Sequence, residues 1–328
     1  FLDPNAPPET RYKAVSQGQF ADYTPPYRIA GMSSPDGLHW TRLPLPICDV
    51  FADSQYSCFW DADAGRYMLY GRVSGHGRSI GNATSAVFNH FEPLSLVLEN
   101  ADNDPPNTDL YNPAAMKYPH ADRVYLMFPS LYNHTTDTLD IHLAVSRDGS
   151  HWTWPERGKP YIALGPSPAF DSGSLYMGQG MLFANNELWH YYSGSPLKHE
   201  EAELDTLTKP ENRRLYSRTT QRLDGFVSVE AGTSGGYFIT PPLKYRGRKL
   251  LLNLQTPPTG EVRVGLLDAA GNPIAGHSPE ECAPLTGDVQ EGIVVWNNTS
   301  EVNATPEGIL SLMVKLREAD LYGFRFSE

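Results

Sequence analysis

The chain alternates short apolar segments with turn residues, and one order of elements recurs. Over residues 53–72 an acidic residue is followed by a short apolar strand, an Asp/Gly turn and a second, aromatic strand. The same order begins again at Asp109 and at Asp171. Short strands that repeat in this way, joined by turns, are typical of radial arrays of small antiparallel sheets. The pattern predicts a β-propeller with one acidic residue at the same point of each blade.

A seven-residue turn also occurs twice. Residues 34–40 read SPDGLHW and residues 146–152 read SRDGSHW, so Ser, Asp, Gly, His and Trp keep identical spacing. Ser and Asp side chains accept hydrogen bonds from turn amides, and a Trp a few residues later can fold back over the hairpin. We interpret both copies as turns that lock a blade, and we assign no catalytic role to Asp36 or Asp148.

The pattern changes near residue 232. Before it, about four blades can be counted. After it, alternating and wholly apolar strands separated by Gly, Pro and Asn are typical of a β-sandwich. The sequence thus predicts an all-β chain with a propeller domain over 1–231 and a β-sandwich domain over 232–328. The second domain carries no cluster of acids, His or Cys at catalytic spacing, which leaves a structural or a carbohydrate-contacting role open.

Composition limits the classes of partner. The 328 residues carry a formal charge of −12 without a Lys/Arg cluster, so nucleic acid would be repelled. No apolar run approaches the length of a membrane span. No basic-then-apolar leader stands at the N-terminus, and both a removed leader and missing upstream sequence are compatible with this start. Three cysteines at no metal-ligand spacing predict no metal and no cofactor, and they fit buried thiols better than a bridge between Cys48 and Cys58.

Several segments carry a family resemblance. They are the DPNAPPETRYKA stretch within residues 1–14, the first seven-residue turn, Asp53-Ser54-Gln55, and ADLYGFRF at 319–326. These segments resemble bacterial glycosidase-like proteins of the five-bladed β-propeller superfamily, which holds arabinanases, levansucrases and invertases (glycoside hydrolase families 43, 32 and 68). The resemblance implies five blades, the first of them incomplete or preceded by another, and an extracellular or periplasmic location.

The resemblance also implies catalytic residues. In these families three acids around the central funnel act as base or nucleophile, as a tuning carboxylate and as general acid. By position, Asp53 and Asp171 correspond to the carboxylate pair, and Asp109 to the residue that tunes or orients it. The third blade offers aspartate where the family has glutamate, so the general acid is open among Glu9, Glu200 and Glu201. Each aspartate could instead only bind the amides of its own turn.

Further residues are candidates for contact with a sugar. They are Asp3 as a possible fourth acid, Gln55, Tyr111, Tyr176 and His120. Tyr rings can stack on sugars, although more of them belong to cores. His120, His134 and His199 could hold a central cation or water in a funnel, but a histidine in a core or on a surface is commoner.

The function expected from these observations is hydrolysis of a poly- or oligosaccharide by carboxylate acid/base catalysis in the funnel. The alternative is a non-catalytic propeller in which the same acids accept hydrogen bonds from sugar hydroxyls. A protein-interaction propeller is a third interpretation, but it lacks the exposed apolar runs such a surface needs.

Overall fold

The computed structural model describes residues 1–53, 55–100, 107–203, 213–302 and 308–328. The predicted all-β class is confirmed, because helix in this part of the chain is restricted to two 3₁₀ segments, Pro8–Thr10 and Glu200–Glu203. Ser54 of the predicted Asp53-Ser54-Gln55 motif lies outside the described residues. No helix in the described ranges is long and apolar enough to cross a membrane. Cys48, Cys58 and Cys282 are free thiols, as expected.

The chain divides into two compact units. The first comprises residues 1–182 and 189–220, and the second comprises 183–188 and 221–328. The strands from the N-terminus to residue 222 are β1 (Tyr12–Gln19), β2 (Tyr27–Ser34), β3 (Thr41–Phe51), β4 (Ser57–Asp61), β5 (Arg66–Gly75), β6 (Gly77–Ser85), β7 (Ser95–Leu98), β8 (Thr108–Tyr111), β9 (Met116–Lys117), β10 (Tyr125–Met127), β11 (Ser130–Asn133), β12 (Thr138–Ile141), β13 (Ala144–Ser146), β14 (Trp152–Thr153), β15 (Ser174–Met177), β16 (Leu182–Ala184), β17 (Glu187–Ser195) and β18 (Leu215–Arg222).

The strands of the first unit form four sheets. The first has the order β1-β2-β3, the second β4-β5-β6-β7 and the third β14-β13-β10-β9. The fourth contains β17-β15-β12-β11-β8, with β18 beside β17. Most neighbours are antiparallel, and β12 and β15 are parallel. Because β10 and β11 follow each other closely, as do β12 and β13, one bent hairpin contributes to both the third and the fourth sheet.

The second sheet is buried on both faces, which explains the run of buried residues along β5. Tyr67 and Leu69 share a hydrophobic cluster with Ile29 and Ile47 of the first sheet region, while Tyr70 belongs to a cluster with residues of the third sheet. Alternate side chains of a strand point to opposite faces, so β5 can serve both clusters at once. The sheet that carries the β5–β6 hairpin is therefore held from both sides.

Three stretches of the first unit meet at Ser57. The Ser57 hydroxyl oxygen accepts hydrogen bonds from the Ala115 backbone N–H and from the Gln179 side chain, both at 2.9 Å. The Gln179 amide also donates to the Tyr56 carbonyl at 3.1 Å. Ser57 and Ala115 are buried. The starts of the second and third sheets and the end of β15 therefore lie together, although they are remote in sequence.

The repeated turn has the same hydrogen bonds in both copies, as predicted. In the second copy the Asp148 carboxylate accepts the N–H groups of residues 150 and 151, and the Trp152 ring donates to the Gly149 carbonyl. That carbonyl also accepts the Tyr70 hydroxyl at 2.7 Å, which ties the turn to the second sheet. The lowered pKa of Asp148 follows from the backbone and side-chain hydrogen bonds of His151. This contact network is structural.

The second unit contains two sheets that share one core. Strands β19 (Val229–Ala231), β26 (Ala319–Ser327), β22 (Lys249–Gln255) and β24 (Asp288–Ile293) form one sheet, and β20 (Gly236–Ile239), β21 (Leu243–Lys244), β23 (Glu261–Leu267) and β25 (Ile309–Arg317) form the other. Side chains from both sheets pack around Trp296, whose ring N–H donates to the Val264 carbonyl at 2.7 Å. Inner faces that pack together in this way are the arrangement of a β-sandwich.

Candidate active site

Asp53 lies just beyond the end of β3. Its carboxylate forms an ion pair with Arg72 near the end of β5, and its backbone N–H donates to the Tyr56 hydroxyl at 3.1 Å. The Asp53 side chain keeps 38% of its surface exposed. This carboxylate is therefore held in position by one arginine while it stays open to solvent.

Asp109 on β8 is held far more tightly. Only 6% of its side-chain surface is exposed. One carboxylate oxygen accepts the Arg78 backbone N–H at 2.8 Å, and the other accepts the Arg78 guanidinium at 2.5 Å and His134 Nε2 at 2.9 Å. Burial raises the pKa of Asp109, but the hydrogen bonds from Arg78 and His134 outweigh burial, so its pKa lies below the ordinary value. Asp109 is a fixed anion.

Asp53 and Asp109 are joined through the tip of the β5–β6 hairpin. Arg72 and Arg78 stand on the two strands of that hairpin, six residues apart, and each pairs with one of the two acids. The Asp53 charge acts on the Arg78 guanidinium as well, which together with the Asp109 hydrogen bond raises the pKa of Arg78 against the effect of burial. The two predicted acids thus belong to one charge network.

The hairpin tip is a close fit around Asp109. Gly77 has φ +73°, and a Cβ atom there would lie 2.0 Å from an Asp109 carboxylate oxygen. A side chain at this position would be strained by the backbone and would also displace the carboxylate. Glycine is therefore required for the hydrogen bonds between Arg78 and Asp109.

Gly77→Ala is expected to lower stability by about 2–4 kcal/mol, because the strain of a non-glycine residue at positive φ adds to the clash with Asp109. Thermal unfolding of the purified variant measures this. Gly65→Ala is the matched control, since Gly65 has φ +62° but a Cβ atom added there would have no neighbouring atom within 4 Å. Equal losses in the two variants would show that Asp109 is not held by this contact.

A wall of aromatic rings continues from the charge network; we call Tyr111, Tyr132, Tyr176 and His199 the aromatic wall. The Arg78 guanidinium lies 5.1 Å from the centre of the Tyr111 ring. His199 lies within hydrogen-bond distance of two hydroxyls, at 3.3 Å from Tyr111 and 3.1 Å from Tyr176. Tyr111 and Tyr132 are buried in one core cluster against which Tyr176 packs, so the wall adjoins the Asp109 network as part of the core, with Tyr176 and His199 partly exposed.

Asp171 has its own set of contacts in the first unit. Its carboxylate accepts the Tyr192 hydroxyl at 3.0 Å, and the chain at Gly165 and Gly194 passes so close that neither could carry a Cβ atom without a clash. In the described part of the chain, no hydrogen bond, ion pair or ring contact joins Asp171 to Asp53 or Asp109. The predicted pairing of Asp53 with Asp171 is not tested by these contacts.

The remaining predicted contact residues are dispersed. Asp3 is buried and accepts the Tyr67 hydroxyl at 2.8 Å and the Asn5 N–H at 3.0 Å. The Gln55 amide donates to the Met177 carbonyl at 3.5 Å, beside the Ser57 meeting point. His120 is exposed in the turn between β9 and β10, 5.7 Å from the Tyr118 ring. Of the predicted sugar-contacting residues, Tyr111 and Tyr176 lie in the aromatic wall.

The candidates for a general acid take different positions. Glu9 lies in the first 3₁₀ segment. The Glu200 backbone N–H donates to the Asp137 carboxylate at 3.2 Å, and the Glu201 carboxylate accepts the Lys198 N–H at 3.2 Å. Asp137 also accepts the hydroxyl of Tyr132 in the aromatic wall at 2.8 Å. Glu200 and Glu201 are therefore near the wall in sequence and structure, and Glu9 belongs to the N-terminal segment.

Arg72 and Arg78 were missed in the sequence analysis, and His134 was considered there only as a funnel histidine that holds a cation or water. The signal was present in Gly75-His76-Gly77, a tight hairpin tip with an arginine on each flanking strand. Arg72 is opposite Ile80 and Arg78 is opposite Ser74, so the two arginines are diagonal neighbours across the hairpin, and each pairs with one carboxylate. A prediction that starts from the acidic residues alone does not identify the basic residues that pair with them.

A separate cavity of about 550 Å³ opens in the first unit. Its walls include Arg66, Asn82, Glu92 and Asp148. None of its lining residues belongs to the charge network or the aromatic wall. A small molecule bound in this cavity would therefore contact neither the charge network nor the aromatic wall.

No protein-family model and no curated protein sequence matches the chain. Among solved structures, it is similar to a protein named as a glycoside hydrolase, with 14% identity and TM-score 0.45 over 63% of this chain and 61% of that one. It is also similar to a glycosyl hydrolase from Bacteroides ovatus, with 16% identity and TM-score 0.41 over 57% of this chain and 59% of that one. It is similar as well to β-1,2-mannobiose phosphorylase from Listeria innocua, with 16% identity and TM-score 0.42 over 88% of this chain and 66% of that one. The chain spans 59% to 66% of the length of these structures.

Proposed function

We propose that the protein is a glycoside-cleaving enzyme whose active site is formed by the Asp53–Arg72 and Arg78–Asp109 pairs together with the aromatic wall. One observation carries the proposal: an open carboxylate, Asp53, lies in the same charge network as a buried anion, Asp109, beside Tyr and His side chains. Sugar sites commonly combine ring faces with a few fixed polar groups. Glycosidic bond cleavage requires carboxylates in defined positions.

In this proposal the two acids have different roles. Asp53 is the carboxylate that reaches the sugar and acts as base or nucleophile, because its side chain is open to solvent. Asp109 is a positioning residue, because Arg78 and His134 occupy its oxygens and keep it ionised. Tyr111 and Tyr176 would contact the sugar through ring faces or hydroxyls.

We propose the five-bladed propeller architecture, with an incomplete first blade, for the first unit. The meeting of three stretches at Ser57 and the burial of both faces of the second sheet support this proposal. An extracellular or periplasmic location, and the boundary near residue 231, are further proposals from the sequence.

A glycan panel tests the function. The wild-type protein is incubated with plant, fungal and host oligosaccharides, and new reducing ends are measured. We expect turnover of at least one member. The absence of new reducing ends across the panel would contradict the enzyme proposal.

One observation favours the non-catalytic alternative. Both Asp53 and Asp109 are paired with an arginine, and fixed ion pairs of this kind also suit recognition of sugar hydroxyls. If the same panel shows saturable binding by calorimetry but no new reducing ends, the protein is a carbohydrate-binding propeller.

The role of Asp171 needs its own variant. Asn at position 171 can still accept the Tyr192 hydroxyl through its amide oxygen, so Asp171→Asn should leave the unfolding temperature nearly unchanged. The sequence pairs Asp171 with Asp53, and the two carboxylates that cleave a glycosidic bond lie about 5 to 9.5 Å apart without touching, so we expect a loss of kcat of about 10²- to 10⁴-fold. A loss below about tenfold would contradict that pairing. A loss as large as that of Asp53→Asn would support the predicted pairing of the two acids.

A further inference from the structure

The hydrogen bond between His134 and Asp109 fixes which ring nitrogen of His134 carries the bonded proton. Asp109 is ionised, and an ionised carboxylate can only accept hydrogen bonds. His134 Nε2, 2.9 Å from the carboxylate, must therefore carry the proton of that bond. In the described residues Nδ1 of His134 has no hydrogen-bond partner, so the second ring nitrogen is left to exchange a proton.

The burial of this pair differs from that of other histidine–acid pairs in the chain. The acid is 6% exposed and the imidazole is 39% exposed. In the pair of His142 with Asp140 the order is reversed, with the imidazole 4% and the acid 28% exposed. The pairs at residues 36–39 and 148–151 are both exposed within their turns. A buried anion beneath an open imidazole is the arrangement in which a carboxylate orients a proton-transferring histidine.

The surroundings of His134 place it at the proposed active site. It is positioned by the backbone bond from its N–H to the Asn107 carbonyl at 2.9 Å, and its ring lies 4.3 Å from that of Tyr132 in the aromatic wall. The charged groups that face it are Asp109 and, through the shared carboxylate, Arg78. His134 thus lies between the charge network and the wall.

We propose that His134 is the general acid of the proposed glycoside cleavage and that Asp109 is the residue that positions it. The inference rests on the proposed function. In the step, Asp53 takes a proton from water as the water oxygen bonds to the anomeric carbon. The bond from that carbon to the leaving oxygen breaks, and this oxygen receives the Nδ1 proton of doubly protonated His134, whose Nε2–H stays bonded to Asp109. Asp53 then returns its proton to His134 through solvent, so that water is the only reactant consumed besides the glycoside.

The test compares leaving groups in His134→Gln. A Gln amide can still donate a hydrogen bond to Asp109, so the fold should be retained. Its N–H is not acidic, however, and cannot transfer a proton to the leaving oxygen. On an oligosaccharide that the panel identifies, we expect kcat to fall about 10²- to 10⁴-fold. On the 2,4-dinitrophenyl glycoside of the same sugar, whose leaving group needs no proton, we expect a loss below about tenfold.

His39→Gln is the matched control, because His39 is an exposed histidine paired with Asp36 at 2.7 Å away from the site. It should retain wild-type rates on both substrates. Equal losses on both substrates in His134→Gln, or no loss on either, would overturn the assignment. Full turnover by His134→Gln together with inactivity of Asp53→Asn would overturn this inference alone, whereas no wild-type turnover of any panel member would overturn the proposed function and this inference with it.

Discussion

Asp53→Asn is expected to lower turnover of the glycan about 10²- to 10⁴-fold, with the unfolding temperature nearly unchanged. Asn has the shape of the carboxylate and can still accept a hydrogen bond from Arg72, so the site should keep its geometry. It cannot take a proton or attack the anomeric carbon at neutral pH. Initial rates of reducing-end release, compared with thermal unfolding of the same preparation, measure both effects.

The control for this variant is Asp49→Asn. Asp49 is also an exposed aspartate that pairs with an arginine, Arg28 at 2.5 Å, and it lies on β3 of the same unit. Its ion pair is separate from the charge network, so this variant should retain full turnover. Comparable rates for Asp53→Asn and wild type would remove Asp53 from the chemistry.

Asp61→Ala should cause the largest loss of stability, about 3–5 kcal/mol. Asp61 ends β4 and is fully buried, and its carboxylate accepts hydrogen bonds from Lys117 and Tyr125 of the third sheet. Without it, the buried Tyr125 hydroxyl loses its acceptor and Lys117 loses one of its two carboxylates. The midpoint of urea unfolding, followed by tryptophan fluorescence, measures the loss.

The same residue predicts a pH dependence. Burial raises the pKa of Asp61, but the hydrogen bonds from Lys117 and Tyr125 outweigh it and place its pKa below the ordinary value. A carboxyl whose pKa is lowered on folding stabilises the protein above about pH 4, and this contribution is lost as pH falls through the folded pKa. The difference in stability between wild type and Asp61→Ala should therefore shrink in acid.

Asp63→Ala separates the buried carboxylate from its exposed neighbour. Asp63 also pairs with Lys117, at 2.7 Å, but its side chain is exposed. Exposed ion pairs contribute about 0–1 kcal/mol, so this variant should be near wild type. Similar losses for the two variants would contradict the role given to Asp61.

The strand pattern could be predicted because it depends on local rules. The Asp/Gly turn at 61–65, the repeated Ser-x-Asp-Gly turn and the alternation of aromatic positions each specify a short segment. The burial of Asp61 could not be predicted from the sequence, because its two partners come from another sheet and lie about 55 to 65 residues further along the chain. Asp61, which the sequence predicts only as part of a turn, is a buried carboxylate that joins the second sheet to the third.

The site was predictable only in part. The order of acid, strand and turn singled out Asp53 and Asp109, and the structure places both in one charge network. That order does not reveal which partners each acid takes, because Arg72, Arg78 and His134 reach them through tertiary packing. Asp171 has the same local sequence context, yet its contacts are with Tyr192 and two close-packed glycines.

The most direct measurement of the central claim is the position of a bound glycan. A crystal structure of Asp53→Asn with an oligosaccharide selected from the panel should show a sugar ring within hydrogen-bond distance of residue 53 and in contact with Tyr111 or Tyr176. A sugar bound only in the separate cavity lined by Arg66, Asn82 and Asp148 would contradict the placement of the active site at the charge network.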